Sequence, residues 1–113
     1  MSSLDAVRAV ALSLPRSYEA EVRGGIRFRV GRIVYVGFGR DLNLMGFAFP
    51  KEERDALVAG DPATFLLPRP SDLRYQWVVA RLDVLDDDEM EELVTEAWRM
   101  VVPKKVAAAH LGD

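Results

Sequence analysis

Cysteine is absent from this 113-residue chain. Without thiols the protein has no disulfide, no thiolate nucleophile and no thiolate metal ligand, and a reducing compartment is its natural location. No apolar run approaches the roughly 20 residues that a membrane helix needs, and the N-terminus lacks the basic and apolar regions of a signal peptide. We therefore expect a cytoplasmic protein with no membrane partner.

Histidine is nearly absent as well, since the chain has only His110, in an alanine-rich tail. We expect this tail, from about residue 104, to be flexible or loosely packed, so His110 is a poor member of a catalytic triad or a metal site. No pair of carboxylates lies in an apolar setting that would separate their pKa values. The sequence therefore predicts a non-enzyme with no catalytic residue, no metal site and no cofactor.

The net charge is -3, but it is unevenly distributed along the chain. Residues 22–81 carry a charge of +4, whereas residues 82–102 carry -7. This balance is far from the strongly basic composition of a dedicated nucleic-acid-binding protein, yet it permits an anionic partner on one surface. The chain has 113 residues, and 50% of its residues are apolar, so it can bury a core of its own. We expect one domain spanning residues 1–113.

Apolar residues at helical spacing predict three helices. The first runs from Leu4 to Leu14 and stops at Pro15. A short one, Lys51 to Ala59, follows Pro50, and its charged residues 51–55 are expected to face solvent. The third is stopped by Pro103, and its buried face consists of Met90, Leu93, Val94, Ala97, Trp98 and Val101.

Four consecutive acids, Asp86 to Glu89, precede that third helix. Asp86 and Glu89 have the spacing of a capping box, and the helix dipole favours negative charge in the first turn. A divalent cation held by Asp86, Asp87 and Asp88 is the alternative, but the glycine and terminal glutamate of an EF-hand loop are missing. The acids are therefore better explained by helix initiation than by a metal.

Alternating apolar residues predict the strands. From Ala20 the spacing changes, and Ile26, Phe28 and Val30 point one way before a two-residue turn at Gly31 and Arg32. Further strands are predicted at Ile33–Phe38, Leu42–Phe49, Thr64–Leu67 and Gln76–Val84. The element order is α-β-β-β-α-β-β-α, which indicates an α+β fold with an antiparallel sheet of about five strands.

The last predicted strand carries the most informative pair of side chains. Its alternation places Val78, Ala80, Leu82 and Val84 toward the core, and Trp77, Val79, Arg81 and Asp83 on the opposite face. A tryptophan beside an arginine on an exposed sheet face would suit a binding role, because both residue types are enriched at binding hot spots. Burial of Trp77 by its neighbours is the alternative.

Several segments in their order and spacing resemble the MmcQ/YjbR family of small bacterial proteins, and the similarity covers nearly the whole chain. These segments are Ala11–Pro15 (ALSLP), Phe28–Gly31 (FRVG), Met45–Arg54 (MGFAFPKEER), Ser71–Tyr75 before Trp77, and Glu92–Lys104. The resemblance implies a fold like that of frataxin and its bacterial relative CyaY, with terminal helices packed on one face of an antiparallel sheet. Members are often labelled DNA-binding. Tyr75 and Gln76 stand where many relatives have a basic residue and a histidine.

Three binding functions follow from these observations. The first is nucleic-acid binding, in which arginines position phosphates and an aromatic ring stacks on a base. The second is a protein-interaction surface around Trp77, and the third, least supported, is frataxin-like metal handling. The expected partners are thus DNA or another protein, and the expected state is a monomer or a weak homodimer. The candidate nucleic-acid-binding residues are Arg27, Arg29, Arg32, Arg74, Tyr75, Trp77 and Arg81.

Overall fold

The chain folds as a six-stranded antiparallel sheet with helices at both ends, in a computed structural model that describes residues 1–112. The strand order is β1-β2-β3-β4-β6-β5. This confirms the α+β class and the antiparallel sheet, with one strand more than the five expected. The strands are β1 (Ser17–Val22), β2 (Gly25–Val30), β3 (Ile33–Phe38), β4 (Leu44–Ala48), β5 (Phe65–Leu66) and β6 (Trp77–Arg81), and the helices are α1 (Leu4–Ser13), α2 (Lys51–Gly60), α3 (Asp87–Arg99) and α4 (Lys104–Leu111).

The additional strand is β1, which forms a hairpin with β2 through a turn at Arg23 and Gly24. Both turn residues have positive φ, 50° and 77°, as a two-residue type I′ turn requires. The sequence-based prediction was wrong in treating the stretch from Ala20 as a single strand. Its turn signal is weak because arginine, rather than asparagine or aspartate, occupies the first of the two positions.

The next hairpin confirms the predicted turn. Val30 pairs with Ile33, and Gly31 has a φ of 61° between them. Farther along, the register shifts so that Tyr35 is the extra residue of a β-bulge. The Tyr35 side chain is fully buried, its hydroxyl lies 2.5 Å from Oγ of Ser17, and burial raises its pKa.

The core lies between the sheet and the terminal helices α1 and α3. Sheet residues that face these helices are buried, and Trp98 of α3 donates from its indole nitrogen to the carbonyl oxygen of Pro15 at 2.9 Å. The predicted packing of the terminal helices on one face is therefore confirmed. The inner face of the sheet contributes Phe28, Val36, Phe38, Met45, Phe47, Phe65, Val78 and Ala80.

Strand β6 is shorter than predicted. It ends at Arg81, and a 3-10 turn over Leu82–Val84 breaks the alternation of side chains. Leu82 stays buried, but Val84 is 51% exposed. Its predicted place in the core was wrong, because the alternation of a strand does not continue through a turn of three residues.

The start of α3 follows the predicted capping box. The Asp86 carboxylate accepts from the backbone N–H of Glu89 at 2.7 Å, and this hydrogen bond lowers the pKa of Asp86. The carboxyl of Glu89 is hydrogen-bonded to Asp86, which raises the pKa of Glu89. Over residues 1–112 no three or more histidine, aspartate or glutamate side chains are grouped so as to hold a metal ion.

The tail forms a fourth helix, which the sequence did not predict. Residues from Lys104 form α4, whose Ala107 is buried and whose His110 ring meets Trp98 edge-on at 5.4 Å. Residues 104–111 are therefore helical and touch the core, and the expected flexibility or loose packing of this tail stays a prediction. Alanine has the highest helix propensity, and Gly112 ends the helix with a φ of 76°. None of the helices described between residues 1 and 112 is long and apolar enough to cross a membrane.

Candidate functional site

The face of the sheet turned away from α1 and α3 forms a groove of about 790 Å³. Its floor comes from β3, β4 and β6, and its rim comes from β2, the segment before β6 and the turn after α3. The groove is mainly apolar. The side chains that shape it are Arg27, Ile33, Arg69, Asp72, Tyr75, Gln76, Trp77, Val79 and Met100.

Two glycines make the floor of the groove flat. Gly37 of β3 and Gly46 of β4 are direct partners across the two strands. A Cβ atom on Gly37 would lie 3.2 Å from Cδ of Arg27, and one on Gly46 would lie 2.6 Å from Nε1 of Trp77. The arginine and the indole therefore lie over neighbouring stretches of bare backbone.

Arg27 is partly anchored in this position. Its Nη1 donates to the carbonyl oxygen of Phe38 at 2.6 Å and to that of Ile26 at 3.1 Å. Within residues 1–112, its Nε and Nη2 make no hydrogen bond, and neither atom is fully buried. The guanidinium is thus oriented by the protein while part of its donor set remains open to a ligand.

Trp77 and Tyr75 are positioned by the buried side chain of Arg54. This arginine is only 7% exposed, and it donates to the carbonyl oxygens of Leu73, Tyr75 and Trp77 at 2.8, 3.0 and 3.1 Å. One side chain of α2 therefore holds three carbonyl oxygens of the segment that leads into β6. Because two of these oxygens belong to Tyr75 and Trp77, the contact fixes the backbone that carries both aromatic side chains.

Arg54 was missed from the sequence, which predicted a solvent-facing residue. A signal was present, because Arg54, Leu57 and Val58 have i, i+3, i+4 spacing on one face of α2. Leu57 and Val58 pack against the core, so the arginine on the same face points inward. The charge of arginine outweighed this signal in the prediction, because arginine is seldom fully buried.

Tyr75 and Arg74 form an exposed pair at the rim. The Arg74 guanidinium lies 4.8 Å from the centre of the Tyr75 ring, and its Nη2 donates to the Tyr75 hydroxyl at 2.8 Å. The tyrosine is 51% exposed, so about half of its surface is accessible to a ligand. Such an arginine–aromatic pair presents a cation and a π-surface together.

The seven predicted residues do not form one continuous patch. Arg27, Tyr75 and Trp77 line the groove, whereas the other four do not. Arg81 points to the outer face but donates to the carbonyl oxygens of Pro62 and Ala63 at 3.2 and 2.8 Å. Arg29 lies beside Arg27 on β2 with a buried Nε, Arg32 is exposed in the hairpin turn, and Arg74 covers Tyr75.

The groove also has a charged rim that the sequence did not predict. Arg69 makes an ion pair with Asp72 at 3.2 Å, and both residues line the groove. Gln76 accepts from the backbone N–H of Lys51 at 2.5 Å, which ties the same rim to α2. Arg69 is well exposed, but its charge is offset by Asp72, so this edge of the groove carries an ion pair and not a free cation.

Similar proteins are known, and none of their names states a function. Uncharacterized protein Rv2570 of Mycobacterium tuberculosis and uncharacterized protein Mb2600 of Mycobacterium bovis are each 36% identical over 58 residues. The matched segment is 51% of this chain and 44% of either relative, so it spans less than half of their length.

Among solved structures, Deinococcus radiodurans protein DR2400, described as a DUF419 domain, has the same fold. The two structures agree with a TM-score of 0.78 over 99% of this chain and 89% of the other, at 22% sequence identity. The sequence profile of the YjbR family matches residues 12–100, which include β1 to β6 and α3. The chain therefore belongs to the YjbR family.

Proposed function

We propose that this protein is a non-enzymatic binding module that holds a single-stranded nucleic acid in the groove on the outer face of the sheet. The observation that carries the proposal is the placement of Trp77 and Arg27 over the Gly46 and Gly37 pair. An indole on an open sheet face supplies a stacking surface for a base, and a neighbouring guanidinium supplies a contact for the phosphate.

A single strand fits this surface better than a duplex. Duplex binding relies on many phosphate contacts along a continuous basic surface, whereas Arg81 is occupied by backbone carbonyls and Arg74 by a tyrosine ring. Stacking on Trp77 or Tyr75 also needs an unpaired base. The flat apolar floor therefore favours splayed bases over an intact helix.

The acidic segment does not oppose this function. Asp87, Asp88 and Glu89 are in the first turn of α3, and α3 packs against the opposite face of the sheet. Of residues 82–102, only Met100 and Val101 line the groove, and both lie beyond the C-terminal end of α3. Their side chains are apolar, so no acidic side chain of residues 82–102 lines the groove.

Fluorescence polarisation with labelled single-stranded and duplex oligonucleotides tests the proposal. We expect Trp77→Ala to weaken single-strand binding about 5- to 150-fold, the range for loss of one base-stacking contact. Log affinity should fall with log salt by about 0.7 per contacted phosphate. Arg27→Ala should reduce that slope, whereas Arg40→Ala, at an exposed turn outside the groove, should change it less.

A protein partner is a second candidate, favoured by exposed apolar residues at one end of the groove. Ile33, Tyr75 and Met100 are 54%, 51% and 42% exposed. Exposed apolar residues that share a groove are typical of protein-interaction sites. Absence of binding to every oligonucleotide at low salt, together with recovery of a protein partner that Trp77→Ala abolishes, would favour this function. A cytoplasmic location and a monomeric or weakly dimeric state remain predictions.

A further inference from the structure

A second depression, of about 500 Å³, lies where the turn after α1 meets α4. It is separate from the groove, because the two share no lining residue. Three basic side chains and three apolar ones line it, and none of the six is acidic. These residues are Pro15, Arg16, Lys105, Val106, Ala109 and His110.

The three basic side chains of this depression are exposed. Within residues 1–112, none of Arg16, Lys105 and His110 makes an ion pair. Like charges gathered around one depression repel one another, and an anion would relieve that repulsion. The local charge is thus opposite in sign to the net charge of the chain.

Arg16 is held in an unfavourable backbone conformation. Its φ is 65°, and the N–H of Ser17 donates to the carbonyl oxygen of Leu14 at 3.2 Å, which closes a turn with Pro15 and Arg16 at its centre. Proline followed by a positive φ is the pattern of a type II turn, whose third position favours glycine or asparagine. An arginine there costs stability, and such strain points to a functional side chain.

Both walls of the depression are fixed to the same buried tryptophan. The indole nitrogen of Trp98 donates to the carbonyl oxygen of Pro15 at 2.9 Å, and the His110 ring packs edge-on against the indole at 5.4 Å. Trp98 is fully buried. The turn that carries Arg16 and the helix that carries Lys105 and His110 are therefore held relative to each other before any ligand binds.

We propose that this depression binds a phosphate monoester. The guanidinium and ammonium groups and an imidazole N–H would contact the phosphoryl oxygens, which can accept several charge-assisted hydrogen bonds at once. The carbon portion of the ester would pack against Pro15, Val106 and Ala109. A carboxylate offers only two oxygens and a single charge, so it uses three basic groups less well.

Titration of the intact protein with phenyl phosphate, followed by two-dimensional amide NMR, tests this site. We expect saturable shifts at residues 15–17 and 105–110, and weaker binding of benzoate. Arg16→Gly should weaken phenyl phosphate about threefold to tenfold, because it removes one exposed charged contact. Glycine suits the positive φ at this turn, so that variant should fold at least as well as the parent.

Lys105→Ala and Lys104→Ala form the matched pair. Both lysines are exposed and adjacent on α4, but only Lys105 lines the depression. We expect Lys105→Ala to weaken binding about threefold to tenfold and Lys104→Ala to change it less than twofold. Equal loss in both variants, equal binding of benzoate, or the same shifts with chloride at matched ionic strength would overturn the proposal.

Discussion

A Cβ atom on Gly46 would lie 2.6 Å from Nε1 of Trp77, so the indole rests on backbone that no other residue type could provide. Gly46 is buried although its own side chain is a hydrogen atom, because Trp77 covers it. The tryptophan at one position of β6 thus depends on a glycine in the neighbouring strand β4. Neither residue reveals this relationship when the sequence is considered alone.

Gly46→Ala should displace the indole of Trp77 and weaken ligand binding in the groove. The added methyl group would clash with the ring, since contacts below 3.0 Å require a neighbour to move. The measurement is the indole N–H resonance of each tryptophan. Trp77 should shift, whereas Trp98, fully buried and bonded to Pro15, should not.

Gly39→Ala is the control for that change. Gly39 also lines the groove, but a Cβ atom there meets nothing within 4 Å and its φ is not positive. We expect Gly39→Ala to leave the Trp77 resonance in place. If Gly46→Ala also left the Trp77 resonance unchanged, the proposed contact between the indole and Gly46 would be wrong.

Arg54→Met should destabilise the fold and loosen the segment before β6. Methionine keeps an unbranched apolar stem but is shorter than arginine and has no donor, so the carbonyl oxygens of Leu73, Tyr75 and Trp77 would lose their partner. Lost hydrogen bonds to a charged group, with polar atoms left unpaired, predict a loss of about 3 kcal/mol. Chemical denaturation measures this loss.

Arg40→Met is the control for the arginine. It removes an equally long cationic side chain from an exposed turn. Surface substitutions of this kind usually change the free energy of unfolding by no more than about 0.5 kcal/mol. Equal unfolding curves for the two variants would show that Arg54 does not hold the segment, despite its three short contacts.

The spacing of apolar residues predicts the helices and strands of this fold well, because an element that buries one face must repeat apolar residues at its own period. The stripe from Met90 to Trp98 predicts α3, and alternation around Trp77 correctly separates the inner and outer faces of β6. The same reasoning misses contacts between distant segments. The sequence cannot place Arg54 of α2 under residues 73–77, since that contact depends on how α2 packs against the segment before β6.

The candidate site likewise has a part that the sequence predicts and a part that it does not. Trp77 and Arg27 are predictable, since alternation puts both on an outer face. Whether an arginine on that face is free is not predictable, because it depends on nearby carbonyl oxygens. Arg81 is occupied by those of Pro62 and Ala63, and only the tertiary structure brings that loop beside β6.

Glu89→Gln should stabilise the protein at neutral pH and have no effect in acid. The hydrogen bond to Asp86 and the charge of Asp86 raise the pKa of Glu89, so folding favours the protonated form of this carboxyl. Its favourable contribution is complete below the ordinary glutamate pKa and is lost as pH rises through the raised value. Glutamine keeps a neutral side chain at every pH.

The melting temperature of parent and Glu89→Gln should therefore differ at pH 7 and converge near pH 3. The contribution of Asp86 to stability changes with pH in the opposite direction, because the hydrogen bond from the Glu89 N–H lowers the pKa of Asp86. Asp86→Ala should destabilise the protein at pH 7, and the difference should diminish as pH falls below the ordinary aspartate pKa. Equal pH dependence in all three proteins would contradict the proposed interaction between the Asp86 and Glu89 carboxyl groups.

Ala107→Glu should undock α4, because Ala107 is 6% exposed and a glutamate there would place a charge against the core. The loss of stability is limited to the free energy with which α4 docks, which is expected to exceed about 1 kcal/mol for a buried helical face. Departure of the His110 ring from Trp98 should also shift the Trp98 indole resonance. Ala109→Glu, at an exposed position of the same helix, should change neither measurement. If Ala107→Glu behaved like Ala109→Glu, the tail would be loosely packed, and the rigid wall that the phosphate site needs would be absent.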